Sequence, residues 1–114
     1  MSPRDLQLRL RDILSAVEET FDFTLGMTKA EFCENLPAVK AVMMNLVIIG
    51  EATTNLPDEV QWNYPDVPWQ NLKKMRNVAP MYFCVDLDIV WKAIQHGLPL
   101  LMPQLRTILD DLER

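Results

Sequence analysis

Apolar residues recur along most of this chain at spacings of three and four, the period of a helix with one buried side. Leu6, Leu10, Ile13, Leu14, Val17 and Phe21 make the first such stripe. Ser2-Pro3-Arg4-Asp5 reads as its start: a capping Ser, a Pro at the first helical position, and an acid in the first turn. The helix should stop near Leu25-Gly26, where Gly can take the left-handed conformation that closes a helix. Thr28-Lys29-Ala30-Glu31 has the form of a capping box. The helix it opens must be short, because Pro37 follows. Pro37 is expected as the first residue of a third helix that runs to about Leu56 and is stopped by Pro57. Val39, Val42, Met43, Leu46, Ile49, Gly50 and Thr53 mark its buried face. Gly50 costs about 1 kcal/mol of helix propensity relative to Ala. Close approach of another helix is the usual reason to keep such a glycine.

Asp58 to Pro68, rich in Pro, Asp, Asn and aromatics, is expected to be irregular. Pro68-Trp69 then begins a helix through Leu72 and Met75, which Pro80 should end or bend. The last helix begins near Asp86 and uses Val90, Ile94, Gly97, Leu101, Leu105, Ile108 and Leu112. Gly97, Pro99 and Pro103 predict a kink or short break in it. No strand-like alternation or repeat is visible. The predicted fold is all-α: an up-and-down four-helix bundle with a short extra helix, in a single domain spanning residues 1–114.

Hydrophobic residues make up 49% of the 114, enough for a core. A domain this small is only moderately self-sufficient, so a partner surface would help. The net charge of −5 speaks against a general nucleic-acid binder. Cations do cluster, at Arg4, Arg9 and Arg11 and again at Lys73, Lys74 and Arg76. Either a local basic groove or plain solvated helix faces would account for them. The longest apolar run, Ala41 to Gly50, is interrupted by Asn45 and falls short of the ~18 residues of a membrane span. The opening residues lack the apolar stretch of a signal peptide. No membrane is expected, and the cytoplasm is the default location. Cys33 and Cys84 lack metal-ligand spacing and read as free thiols, and His96 is the only histidine. No metal and no cofactor are expected. His96 reads as a surface or cap residue. Trp62, Trp69 and Trp91 read as core and loop anchors rather than base-stacking platforms. Met43, Met44, Met75, Met81 and Met102 read as adaptable core or interface filler.

The segment Met75-Arg76-Asn77-Val78-Ala79-Pro80-Met81-Tyr82-Phe83 resembles the signature of HEPN ribonuclease toxins, the HepT-like half of HEPN/MNT toxin–antitoxin pairs. In that signature an Arg is followed by Asn, a few apolar residues, a His, one spacer and a Tyr. Arg76, Asn77 and Tyr82 match. Ala79-Pro80-Met81 stands where the His belongs, and the segment is one residue short. Ile49-Gly50-Glu51-Ala52, Pro68-Trp69, Val85-Asp86 with Val90-Trp91, and Leu98-Pro99 resemble further family segments, so the likeness covers nearly the whole chain.

The resemblance implies a homodimer with the two signatures facing each other across a cleft. It also implies metal-independent cleavage of an RNA substrate. The implied partner is an MNT-type nucleotidyltransferase antitoxin, which in some pairs AMPylates the signature Tyr. On this basis Arg76 and Asn77 are the catalytic candidates and Tyr82 the AMPylation candidate. RNA cleavage without a metal needs a base for the 2′-hydroxyl, an acid for the leaving oxygen and positive charge on the phosphate. His titrates in the right range for proton transfer, and Arg is the right fork for phosphate. Met81 cannot transfer a proton, and Pro80 disturbs helical geometry. The chain is therefore expected to be an inactivated toxin or a decayed copy. The alternative is a non-enzymatic helical dimer that binds the nucleotidyltransferase partner, RNA or nucleotide. Glu51 reads equally as a buried partner of Arg76 or as a surface carboxylate, and Tyr82 could be a packing aromatic.

Overall fold

The structure is a computed structural model that describes residues 1–77 and 86–114. The described residues contain helices and no strands, so the fold is all-α. Helix α1 (Pro3–Thr24) begins where Ser2 accepts a hydrogen bond from the Asp5 amide at 3.1 Å. It closes at Leu25, followed by Gly26 at φ 74°, the left-handed conformation expected there. Helix α2 (Lys29–Glu34) opens with the capping box complete: the Glu31 amide donates to Thr28 Oγ1, and the Thr28 amide donates to Glu31 Oε1. Helix α3 (Leu36–Thr54) is capped by Asn35, whose Oδ1 accepts from the Ala38 amide, so Pro37 stands second rather than first in the helix.

Helix α4 (Asp58–Asn63) corrects the expectation of an irregular stretch from Asp58 to Pro68. Pro57 precedes its first residue, and Asp58 and Glu59 supply first-turn acids. Pro57, the last of the three residues between α3 and α4, thus leads into a second helix besides following the first. Helix α5 (Trp69–Lys74) passes directly into a single 3-10 turn, Met75–Asn77. Beyond residues 78–85, helix α6 (Leu87–Lys92) is capped by Asp86 and runs into a π-helical turn, Ala93–Gly97. Helix α7 (Leu98–Glu113) follows without leaving helical geometry. That π turn is the break expected from Gly97, Pro99 and Pro103.

Helix α1 lies between α3 and α7. Arg11 pairs with Glu113, and Glu18 pairs with Arg106 at 3.2 Å. The two pairs advance in opposite chain directions, so α1 and α7 are antiparallel. The face read from the sequence of α3 is the one it buries: Val39, Val42, Met43, Leu46, Ile49, Gly50 and Thr53 are all inside. Buried hydroxyls are satisfied locally: Thr20, Thr24 and Thr53 donate to carbonyls four residues back at 2.7–2.8 Å. Asn45, read as an interruption of an apolar run, is itself buried. Helix α3 also qualifies for a membrane span by length and by a mean hydropathy of 1.4, which the broken run had concealed. Half of that window is buried inside the bundle, as befits a core helix.

Candidate functional site

The site candidates fall on the turn that ends α5. Trp69 and Leu72 are buried, and Met75, three residues further on, is half-buried against the core. This three-residue spacing holds one side of the helix down. Trp69 is fixed further by donating its Nε1–H to the Tyr64 carbonyl at 2.9 Å. Gln70, Asn71, Lys74, Arg76 and Asn77 are left exposed.

The position of the 3-10 turn is set by α3. Gly50 faces the Arg76 backbone so closely that a Cβ there would overlap the Arg76 amide nitrogen. It would also lie 2.9 Å from both the Cα and the Cβ of Arg76. Ordinary contacts of this kind are 3.4–4 Å. The missing side chain of Gly50 is therefore the space into which the Arg76 backbone fits. This identifies the close approach that the sequence required of Gly50, and the approaching group is the candidate Arg itself.

Glu51 follows Gly50 on the exposed side of α3. It forms no salt bridge with Arg76; the described salt bridges lie elsewhere, among them Lys29–Asp88 at 2.6 Å. Glu51 is thus the surface carboxylate of its two readings. Lys73, Lys74 and Arg76 likewise have no carboxylate partner among the described residues. Three cations within four residues make a local positive strip on an acidic chain. Tyr82, Met81 and Cys84 lie outside the described residues. Cys33 is a half-buried free thiol. Among the described residues no three His, Cys, Asp or Glu side chains cluster. His96 is exposed in the π turn, far in sequence from Arg76.

The tryptophans divide. Trp69 is a core residue, and Trp91 packs on Phe32 with ring centroids 5.5 Å apart. Trp62 is 73% exposed, which corrects its reading as an anchor.

A profile of the ribonuclease HepT-like family matches residues 13–108, which include Gly50, Arg76, Asn77 and the whole of α4 and α5. The chain belongs to that family. Two proteins of Methanocaldococcus jannaschii that bear the name “Putative RNase” are 33% and 34% identical to it over 114 residues. The alignments cover 99% of this chain and 94% and 98% of those relatives. A Thermococcus cleftensis protein named “Probable ribonuclease HepT” is 33% identical over 91 residues, covering 79% of this chain and 83% of its own length. No solved structure matches the chain. In this HepT-like chain the backbone of Arg76, the candidate signature Arg, is seated against Gly50, and Lys73 and Lys74 precede it.

Proposed function

We propose that this HepT-like chain is the toxin half of a toxin–antitoxin pair, a ribonuclease by descent that holds RNA through Arg76 and cleaves it poorly or not at all. The carrying observation is the seating of the Arg76 backbone against Gly50, with an unpaired cationic strip leading up to it among the described residues. A socketed backbone supports a role for this Arg beyond a solvated charge. Its guanidinium holds the phosphate, and Asn77 orients the bound group by hydrogen bonds. The proton-transfer step lacks its histidine, because Ala79-Pro80-Met81 occupies that part of the signature. Single-stranded RNA titrated against the chain and against Arg76→Ala tests the binding half. Equal affinity of the two would refute it.

The working unit is a homodimer that brings two copies of Arg76 to one cleft. Support comes from α3, whose outward side carries Met44 at 60% and Ile48 at 38% exposure, an apolar strip on the same helix as Gly50. Light scattering at micromolar concentration should give twice the chain mass; a monomer would refute the paired cleft. The antitoxin is a nucleotidyltransferase of the MNT type, and its target is the phenol of Tyr82. Mass spectrometry after incubation with that enzyme and ATP should show AMP on the chain and none on Tyr82→Phe.

A further inference from the structure

Helix α5 and its 3-10 turn together run only from Trp69 to Asn77. A helical piece this short does not hold itself in place in water, so its position is set by its anchors. At the far end the anchor is Gly50, against which the Arg76 backbone sits. The near end lacks the usual device. Pro68 stands at the cap position and gives the first turn no side-chain hydrogen bond. The entry is held by Tyr64 instead. The Tyr64 carbonyl accepts from the Val67 amide at 3.2 Å and from the Trp69 indole Nε1–H at 2.9 Å, which occupies both of its lone pairs. The Trp69 amide donates to the Val67 carbonyl at 2.8 Å and closes the bend between them.

Tyr64 is itself tied on two further sides. Its amide donates to the Val60 carbonyl of α4 at 3.2 Å, and its phenol donates to Asp111 Oδ2 of α7 at 2.6 Å. Arg114 lies 3.9 Å from the other oxygen of that carboxylate. A second tie to α7 runs alongside, from Gln104 Nε2 to the Asp66 carbonyl at 3.3 Å. One residue thus joins α4, α5 and α7. Its bond to Asp111 has a charged acceptor, the stronger kind of hydrogen bond.

Helix α5 packs on α3, while these hydrogen bonds connect its entry to α7. At ~1.5 Å of rise per residue, Arg76 is about 10 Å from Trp69 along the helix. A helix is stiff over that length, so a displacement at Trp69 is carried to Arg76. The fit at Gly50 is close, and a displaced α5 leaves that seat rather than sliding within it. Resting on the reading of Arg76 as a phosphate-binding residue, we propose that Tyr64 and Asp111 are positioning residues for it. Their hydrogen bond fixes the entry of α5 to α7 and so holds the Arg76 guanidinium where an RNA phosphate meets it.

The test is a double-mutant cycle read by fluorescence anisotropy with a short labelled single-stranded RNA of mixed sequence. Tyr64→Phe keeps the ring, the carbonyl bonds and the net charge, and removes only the phenol's bond. It should weaken binding about three-fold, the scale of one modest hydrogen bond. In the Arg76→Gln background it should cause no further loss, because the group it positions is gone. A residue that only stabilises the fold would lower the urea midpoint while leaving the affinity of the folded chain unchanged, or would lower that affinity equally in both backgrounds. Asp111 supplies a second comparison. Asp111→Asn still offers the phenol an acceptor and Asp111→Ala does not, yet both remove the same charge. Asp111→Ala should therefore bind about three-fold more weakly than Asp111→Asn, and that difference too should vanish with Arg76→Gln. Should Tyr64→Phe unfold, the exposed Asp111 pair still decides the matter. With Arg76→Gln weakened, any one of three results would overturn the positioning role and leave the phosphate site standing: no loss in folded Tyr64→Phe, an equal loss in both backgrounds, or equal affinity of Asp111→Asn and Asp111→Ala. Full affinity in Arg76→Gln, or absence of RNA binding by the unaltered chain, would overturn both.

Discussion

Replacing Gly50 by Ala asks whether the socket for Arg76 is real. Gly inside a helix is about 1 kcal/mol less favourable than Ala, so Gly50→Ala in an open site should raise stability by that amount. In a chain of this size Tm would rise by roughly 3–6 °C. The socket predicts otherwise. The new Cβ would overlap the Arg76 amide nitrogen and lie 2.9 Å from Cα and Cβ, against 3.4–4 Å for ordinary contact. The Cα and Cβ alone require a retreat of about 0.5 Å, the difference between 3.4 and 2.9, and the nitrogen requires more. These atoms are mostly backbone and cannot rotate away. Forcing a methyl into such a contact costs about 1–3 kcal/mol. After the propensity gain, the net change is a loss of about 0–2 kcal/mol. RNA affinity should fall with it, because the guanidinium moves with its backbone. Urea unfolding followed by far-ultraviolet circular dichroism gives the stability, and anisotropy gives the affinity. Gly97→Ala is the control: nothing lies within 4 Å of its added Cβ, so it should be neutral or stabilising. Gly50→Ala with stability raised by about 1 kcal/mol and RNA affinity intact would refute the socket.

Three further outcomes follow from the structure. Arg76→Gln should leave Tm within about 1 °C of the unaltered chain, because an exposed residue with no salt bridge among the described residues contributes little to stability; differential scanning calorimetry checks this. Hydrogen bonds to Asp111 and Asp88 raise the pKa values of Tyr64 and Lys29 above their ordinary 10.0 and 10.5. Both bonds favour the protonated group in the fold, so their contributions are complete below about pH 10 and drain away as pH rises through the raised values. Tyr64→Phe should therefore flatten part of the alkaline decline in Tm, and a decline identical to that of the unaltered chain would contradict this. Pro103 lies inside α7 and is exposed. Pro103→Ala restores an amide donor to the helix and should raise stability, by up to ~3 kcal/mol, in thermal unfolding.

The core-forming faces were legible in the sequence because a buried face repeats every three or four residues. All seven residues read as the buried stripe of α3 are buried, joined by Ala38, Asn45 and Ala52, and the Ser2, Thr28 and Gly26 signals sit where caps form. Helix α4 was hidden because a six-residue helix is too short to show a period, and its Pro, Asp and Asn content mimics a loop. The same shortness hid Trp62, since aromatic residues are presumed buried until a neighbour fails to cover them. The sequence also marked Gly50 and Arg76 separately. That one is the socket of the other depends on a contact between positions 26 residues apart, which no local pattern encodes.

The claim that most needs testing is that this chain keeps the phosphate-holding half of a HepT-like site without its proton-transfer half. Cleavage of end-labelled single-stranded RNA in EDTA, resolved on a denaturing gel, measures it directly. The chain is compared with a variant carrying Leu-Ile-His-Glu in place of Ala79-Pro80-Met81, which restores both the histidine and the segment length. A positioned acid–base group contributes ~10²–10⁴-fold to such a reaction. The restored chain should cut the RNA at a rate above the present chain by at least that factor, and Arg76→Ala in the restored chain should abolish cutting. Cleavage by the present chain at the rate of the restored one, lost on Arg76→Ala, would contradict the claim.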